Sequence, residues 1–379
     1  MRHLHSLRMG AVRLMMATSA GTRKSGKGGV RSRTLQLPLL DDFPASPLIR
    51  LATASGRDAT FEAVPTRSVL NSPAATHMPF WSINPYIGCE FGCTYCYARD
   101  THRWAMERQG LQDTEKLLSF PASPLPRPDP FENRILVKID APTILRRTLD
   151  PARIDGAPIV IGTATDPYQP AERRFGITCS LLEALLKFRG LHLGIITKSP
   201  LITRDIPLLR KVAARHRLKI HISLATCDGA LLRRLEPRTP MPHARLRALA
   251  QLTAADLDAG VLVAPIVPLL TDSREGLGRL FAAARAANAT RVNGGVLRLG
   301  PTARRRFLAQ IATEFPELLS RYQRHFSHSS NAEPAYRAAL SRRLTKLQLE
   351  FGFPTGGQTS DVDAMNEVDG QHDEQMTYI

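Results

Sequence analysis

NPYIGCEFGCTYCYARD, residues 84–100, packs three cysteines, Cys89, Cys93 and Cys96, into eight positions. A disulfide takes two thiols and a closed structural zinc site takes four ligands, so three clustered thiols leave one position free. C-x3-C-x2-C on a short loop suits three corners of a [4Fe–4S] cube, with Gly88 and Gly92 allowing the backbone to approach the inorganic sulfides. The competing reading is a zinc site completed by His102. Zinc sites usually show paired C-x2-C halves, and no second half exists in this chain.

Outward from the loop, short apolar runs alternate with amphipathic ones. PIVIGTAT (158–165), LHLGIITKS (191–199), LKIHISLAT (218–226), AGVLVAPIVP (259–268) and RVNGGVLRL (291–299) read as strands. SLLEALLKFR (180–189), DIPLLRKVAARH (205–216), GALLRRL (229–235), residues 243–257, REGLGRLFAAARAAN (274–288) and ARRRFLAQIATEF (303–315) read as helices. With SINPYIGC (82–89) as a first strand, six strand–helix units are countable. Near-continuous apolar strands are buried on both faces, which implies a parallel sheet covered by helices. No glycine fingerprint follows the first strand to favour a dinucleotide fold, leaving an open sheet or an incomplete barrel. Either architecture puts its chemistry at the C-terminal ends of the strands, where the cysteine loop sits. Helices after residue 300 (303–323 and 333–349) are expected to close the bottom or the edge.

The composition narrows the class. Of 379 residues, 43% are hydrophobic, enough for a sizeable core, and no apolar run approaches the length of a bilayer span. Five cysteines are an odd and sparse set, which excludes a secreted disulfide framework and points to a reducing, cytoplasmic setting. The net charge is +17, with +8 in residues 1–40, −7 in 347–379 and +16 between them. A folded region this basic invites DNA or RNA, while an arginine-rich solvated surface is the plainer alternative. Residues 1–56 read as a basic extension, peripheral or disordered, with a superficial likeness to an organelle-targeting segment. The core is expected over 57–325, a helical extension over 326–351 and an acidic disordered tail over 352–379.

CEFGCTYC resembles the signature of the radical S-adenosylmethionine superfamily, C-x3-C-x-aromatic-C. INPYIGCEFGCTYCYAR, GTATDPYQPAERR, IITKSPLITRDIPLL, ISLAT with LLRRLEPRTP, and GVLVAPIVPLLTD are similar in order and spacing to the branch related to spore photoproduct lyase, over roughly residues 57–300. The resemblance implies an α/β fold, a partial (β/α)6 TIM-type barrel, holding a [4Fe–4S] cluster on Cys89, Cys93 and Cys96. It implies that the open iron chelates S-adenosylmethionine, with Tyr95 by the adenine and with Thr165, Lys198 and Ser223 holding its methionine or ribose part. Reductive cleavage would then give methionine and a 5′-deoxyadenosyl radical, with a flavodoxin- or ferredoxin-type reductant and a monomeric enzyme. One departure bears on the substrate. Photoproduct lyases carry a hydrogen-donating cysteine where this chain has Thr163, and neither Cys179 nor Cys227 occupies that position. Cys227, after the fourth strand, is a candidate donor thiol or a small buried hydrophobe.

Further candidates lie on two loops. TDPYQPAERR (165–174) offers Asp166, Tyr168, Gln169 and Glu172 as substrate or cofactor contacts, and EPR (236–238) offers Glu236 and Arg238, or a local ion pair between them. His102 and Trp104 are placed to shield the cysteine loop from water. A different class of function is a nucleic-acid-binding iron–sulfur protein without turnover, and a third is a zinc module.

Overall fold

The computed structural model describes residues 49–51, 59–76, 78–102, 130–327 and 329–355. The expectations for the first 48 residues, for Trp104 and for the acidic tail beyond 355 lie outside the described residues.

In chain order, β1 (Ile49–Leu51), β2 (Thr60–Ala63), β3 (Leu70–Asn71) and the one-turn α1 (Pro73–Thr76) precede β4 (Trp81–Ile83) and β5 (Tyr86–Ile87). Next come α2 (Pro130–Asn133), β6 (Arg134–Val137), α3 (Ala141–Thr148) and α4 (Pro151–Ile154). From β7 (Ile159–Ile161) the alternation is regular: α5 (Glu172–Phe175) and α6 (Ile177–Leu185), β8 (His192–Thr197), α7 (Ile206–Ala213), β9 (Arg217–Ser223). It continues through α8 (Gly229–Leu235), α9 (Pro242–Ala254), β10 (Ala259–Ile266), α10 (Arg274–Ala286) and β11 (Val292–Val296). Three helices follow, α11 (Pro301–Glu314), α12 (Leu319–His325) and α13 (Pro334–Glu350).

The main sheet has the order β11-β10-β9-β8-β7-β4-β3. Strands β4 and β7 to β11 run parallel, each paired with the next in sequence, and only β3 is antiparallel. That order matters. Right-handed crossovers between strands taken in sequence all fall on one face, so the helices coat one side and the sheet curls around the other. No pairing closes β11 onto β4 among the described residues, so the arrangement is an open, partial barrel. Ile159, Val160 and Ile161 of β7 are wholly buried, as strands covered on both faces require. Each such side chain contributes roughly 1.5–3 kcal/mol through burial.

The structure departs from the sequence expectation at the first strand. The run over 82–89 is divided, with β4 in the main sheet and β5 pairing antiparallel with β6 in a second sheet of order β1-β2-β6-β5. Pro85 lacks a donor and Gly88 has φ of +89°, so the chain turns out of the main sheet before it reaches the cysteines. Of the late helices, α11 and α12 differ from the expected bottom or edge, whereas α13 takes the edge. Phe307 and Ile311 of α11 and Tyr322 of α12 share a buried cluster with Cys89, Cys93 and Tyr95, so these helices cap the cysteine loop rather than the bottom. Helix α13 lies along the β11 edge, where Gln348 Nε2 donates to Val292 O at 2.8 Å.

Candidate functional site

The cysteine loop leaves β5 and is fastened by groups from four later segments. Cys89 N donates to Phe131 O (2.8 Å) just before β6. Thr165 Oγ1 donates to Gly88 O (2.6 Å), and Gln169 bridges the same stretch, giving Nε2–H to Gly88 O (3.2 Å) and accepting Glu90 N–H (2.9 Å). Thr94 donates from N and from Oγ1 to Leu235 O at the end of α8, both at 3.1 Å. Arg238 Nε donates to Glu90 O (2.6 Å).

The glycines serve this packing as much as any ligand. A Cβ on Gly88 would meet Phe131 O at 2.9 Å, and one on Gly92, whose φ is +61°, would run into the Arg238 guanidinium and lie 2.8 Å from Glu132 Oε2. The close approach expected toward inorganic sulfide is therefore also an approach to protein.

All three cysteines are free thiols, with Cys89 and Cys93 buried and Cys96 half-buried. Burial pushes each thiol above its ordinary value; at Cys93 the Lys198 ammonium opposes the effect, and at Cys96 Arg99 and Lys198 do so. Lys198 Nζ stands 5.9 Å from the Tyr95 ring centroid. Burial works against its charge, but Cys93 and Glu236 outweigh that and raise it above the usual lysine value. Tyr95 is buried, with its hydroxyl donating to Glu236 Oε1.

Glu236 and Arg245 are both fully buried and form an ion pair, and Thr239 Oγ1 donates to Glu236 Oε2 at 2.8 Å. Arg245 Nη1 also donates to Ser223 O (2.8 Å) and its Nε to Pro240 O (2.8 Å). A chain of bonds thus runs from Tyr95 through Glu236 and Arg245 to the end of β9. The local pair suggested between Glu236 and Arg238 is not what forms. Arg238 instead reaches Glu132 at 2.5 Å.

Of the expected cradle residues, Lys198 and Ser223 sit at the ends of β8 and β9, and Thr165 lies in the loop after β7. Thr165 is clamped to the cysteine loop as described, and accepts Gln169 Nε2–H at 2.9 Å. Ser223 Oγ donates to Ala264 O at 3.1 Å. The backbone N–H of Lys198 donates to Asp166 Oδ2 (2.7 Å), and Thr197 Oγ1 donates to Asp166 Oδ1 (2.7 Å), which ties the 163–169 loop to β8. Glu172 is turned inward too, accepting from the Tyr86 hydroxyl, Thr178 N (2.9 Å), Cys179 N (3.1 Å) and Arg204 (3.2 Å). Asp166, Gln169 and Glu172 are therefore joints of the scaffold.

Thr163 bonds Asn84 through its hydroxyl (3.1 Å), and its carbonyl accepts the Tyr97 hydroxyl. Cys179 opens α6, and half-buried Cys227 packs against the main core rather than the cluster around the cysteine loop. His102 stands edge-on to Phe131 at 5.4 Å, and burial drops its ring to about 4. Among the described residues no three or more His, Cys, Asp or Glu side chains converge on one metal-ion position. Thiols that serve three corners of a cube stand farther apart than the ligands of one ion.

One constellation escaped the sequence reading. Glu132, in α2 and 2% exposed, receives Arg99 at 2.5 Å, Arg238 at 2.5 Å and Arg306 at 3.4 Å. Arg99 is itself buried and donates to Cys93 O at 3.0 Å. The signal in the sequence was only the charge excess; partners 33, 106 and 174 positions apart show no local pattern.

Residues 83–281 match the family model of the radical SAM superfamily. An uncharacterized protein of Mycobacterium tuberculosis is 35% identical over 307 residues, 80% of this chain and 85% of that one. Another, from Methanocaldococcus jannaschii, is 27% identical over 190 residues, 50% of this chain and 61% of that one. Among solved structures, a tyrosine-to-phenylalanine variant of spore photoproduct lyase superposes with a TM-score of 0.54 at 14% identity, covering 78% of this chain and 80% of the other. A cysteine-to-alanine variant of the same enzyme with dinucleoside spore photoproduct gives 0.53 at 12% identity, covering 77% and 79%. These likenesses show the fold, and the family match with its substantial relative shows the rest: the chain belongs to the radical SAM superfamily, enzymes that work by radical chemistry.

Proposed function

We propose that the chain holds a [4Fe–4S] cluster on Cys89, Cys93 and Cys96 and uses it to cleave S-adenosylmethionine reductively, acting on a nucleic-acid substrate. The observation that carries this is a loop of three free thiols, two buried and one half-buried, on the loop that leaves β5, with the Lys198 ammonium over the Tyr95 ring. Thiols pushed up by burial ionise only opposite positive charge, which iron supplies. The donor set fits the group.

When bound, the cluster and S-adenosylmethionine supply one-electron cleavage of a carbon–sulfur bond and abstraction of a substrate hydrogen. The protein's part is positional. Lys198 offers the counter-charge for the cofactor's carboxylate, with its backbone locked by Asp166 so that the ammonium is presented from a fixed strand end. Tyr95 offers a ring beside the adenine, held by the Glu236–Arg245 pair. Thr165 and Ser223 flank the same end. Helices α11 and α12 bury the loop and keep water from it. An electron comes from outside, from a flavodoxin- or ferredoxin-type protein.

Nucleic acid is favoured as substrate by the +16 charge over residues 41–346. Thymine-dimer repair is not favoured, because Thr163, bonded to Asn84, stands where a lyase carries its donor thiol. The test is anaerobic reconstitution followed by dithionite and S-adenosylmethionine. Formation of 5′-deoxyadenosine is expected, together with loss of iron, sulfide and brown colour in Cys89→Ala, Cys93→Ala or Cys96→Ala. A fully loaded wild type that makes no 5′-deoxyadenosine would sink the catalytic reading.

A further inference from the structure

Beside the cysteine loop lies a cavity of about 600 Å3, bounded by Thr94 of the loop, Glu132, α8 with its following turn, and α11. Among the described residues its charged lining is Arg233, Arg234, Arg238 and Arg306 against Glu132 and Glu314. We propose that this cavity is a phosphate-binding site, for a nucleotide or for a phosphodiester of nucleic acid.

Three observations carry it. The first is charge. Glu132 is already shared by three guanidinium groups, those of Arg99, Arg238 and Arg306, in a place where its side chain is 2% exposed. The described lining carries four guanidinium groups against two carboxylates, and the Arg238 side chain is 35% exposed, within reach of an anion from solvent. Of the other two arginines, Arg234 is matched by Glu314 at 2.8 Å, whereas Arg233 donates to the neutral carbonyls of Pro237 and Thr239.

The second is donor chemistry. Guanidinium forks bind phosphate through paired hydrogen bonds, and several lining one concavity match a polyanion better than a single carboxylate. The third is size, since the volume lies in the range that accommodates a nucleotide-sized ligand. The location adds a consequence. Thr94 is part of the cysteine loop, and Glu132 passes contact from Arg238 to Arg99, which holds Cys93 O. A ligand in the cavity would therefore press on the loop that presents the thiols.

The test uses the reconstituted full chain without S-adenosylmethionine or reductant, so its outcome is independent of turnover. The probes are tripolyphosphate, ATP and a labelled single-stranded oligonucleotide. Wild type is expected to bind tripolyphosphate and at least one of the other two, and to lose affinity as salt rises. Arg233→Gln/Arg306→Gln is expected to weaken binding by at least about tenfold. Ala230→Glu places a carboxylate at the exposed rim without removing any side-chain hydrogen bond, and should weaken it comparably. Thermal unfolding monitored by circular dichroism confirms that each variant is folded. Binding of ATP alone assigns the site to a free nucleotide; binding of the oligonucleotide assigns it to nucleic acid. No binding of any phosphate probe, or equal affinity in wild type and both folded variants, overturns the proposal, even in a protein that makes 5′-deoxyadenosine.

Discussion

Glu236 shows how much one side chain holds together at the residue scale. It anchors Tyr95 and Thr239 and neutralises Arg245, with both partners of the ion pair fully buried. Burial pushes its carboxyl up, but Arg245 and Lys198 outweigh this and hold it at about 2, below the ordinary 4.5. A depressed carboxyl adds stability above pH 4.5 and loses it as pH falls toward 2, an effect of about 3 kcal/mol at most. Glu236→Gln leaves Arg245 buried without its counter-charge, and is expected to cost about 3–5 kcal/mol in a denaturant titration. An unchanged midpoint would mean that the pair is dispensable. Glu236 was visible in the sequence as a candidate contact, but its true partner, nine positions on in α9, was not. Asp166, Gln169 and Glu172 teach the same lesson. Polar residues on a proline-rich loop at the active face look available in sequence, yet their lone pairs are spent on backbone amides of neighbouring segments.

Elements follow the sequence where burial dictates the pattern. The runs at 158–165, 191–199, 259–268 and 291–299 contain β7, β8, β10 and β11, and 218–226 contains all of β9 but its first residue, Arg217, because strands buried on both faces must be largely apolar. The small sheet was illegible for the opposite reason. TFEA in β2 and RILV in β6 are four residues each and pair in parallel across more than seventy positions, too short for a periodicity to form. Strand β9 carries an acid sensitivity of its own. His221 lies in it wholly buried, its Nδ1 without a hydrogen-bond partner, and burial, with Arg291 and Lys219, lowers its ring to about 3. The unfolded chain takes up a proton near pH 6.5 and the folded one does not, so stability declines as pH falls from 6.5 toward 3. His221→Leu should shrink the slope of unfolding free energy between pH 6.5 and 4.5, and an identical slope would refute that. The cysteine loop is equally intolerant at Gly92. An alanine there meets left-handed backbone, Arg238 and Glu132 together, so Gly92→Ala is expected to lower iron content severalfold. Full loading would show that the loop can shift without loss.

Taken as a whole molecule, the chain keeps its cysteine loop at residues 84–100 and the fastenings of that loop far downstream. Partners of Gly88, Thr94, Tyr95 and Glu90 lie 77, 141, 141 and 148 positions downstream. Contacts of such separation form late, because the intervening segments must first be brought together. During synthesis the three thiols therefore leave the ribosome well before Thr165, and earlier still than Arg238. An unfinished chain carries exposed, unfastened thiols that are open to oxidation or to the wrong metal. Under the proposed function, iron and sulfide delivered before Arg238 has emerged would meet a loop that lacks its Glu90 fastening, so cluster assembly is expected after that segment is made.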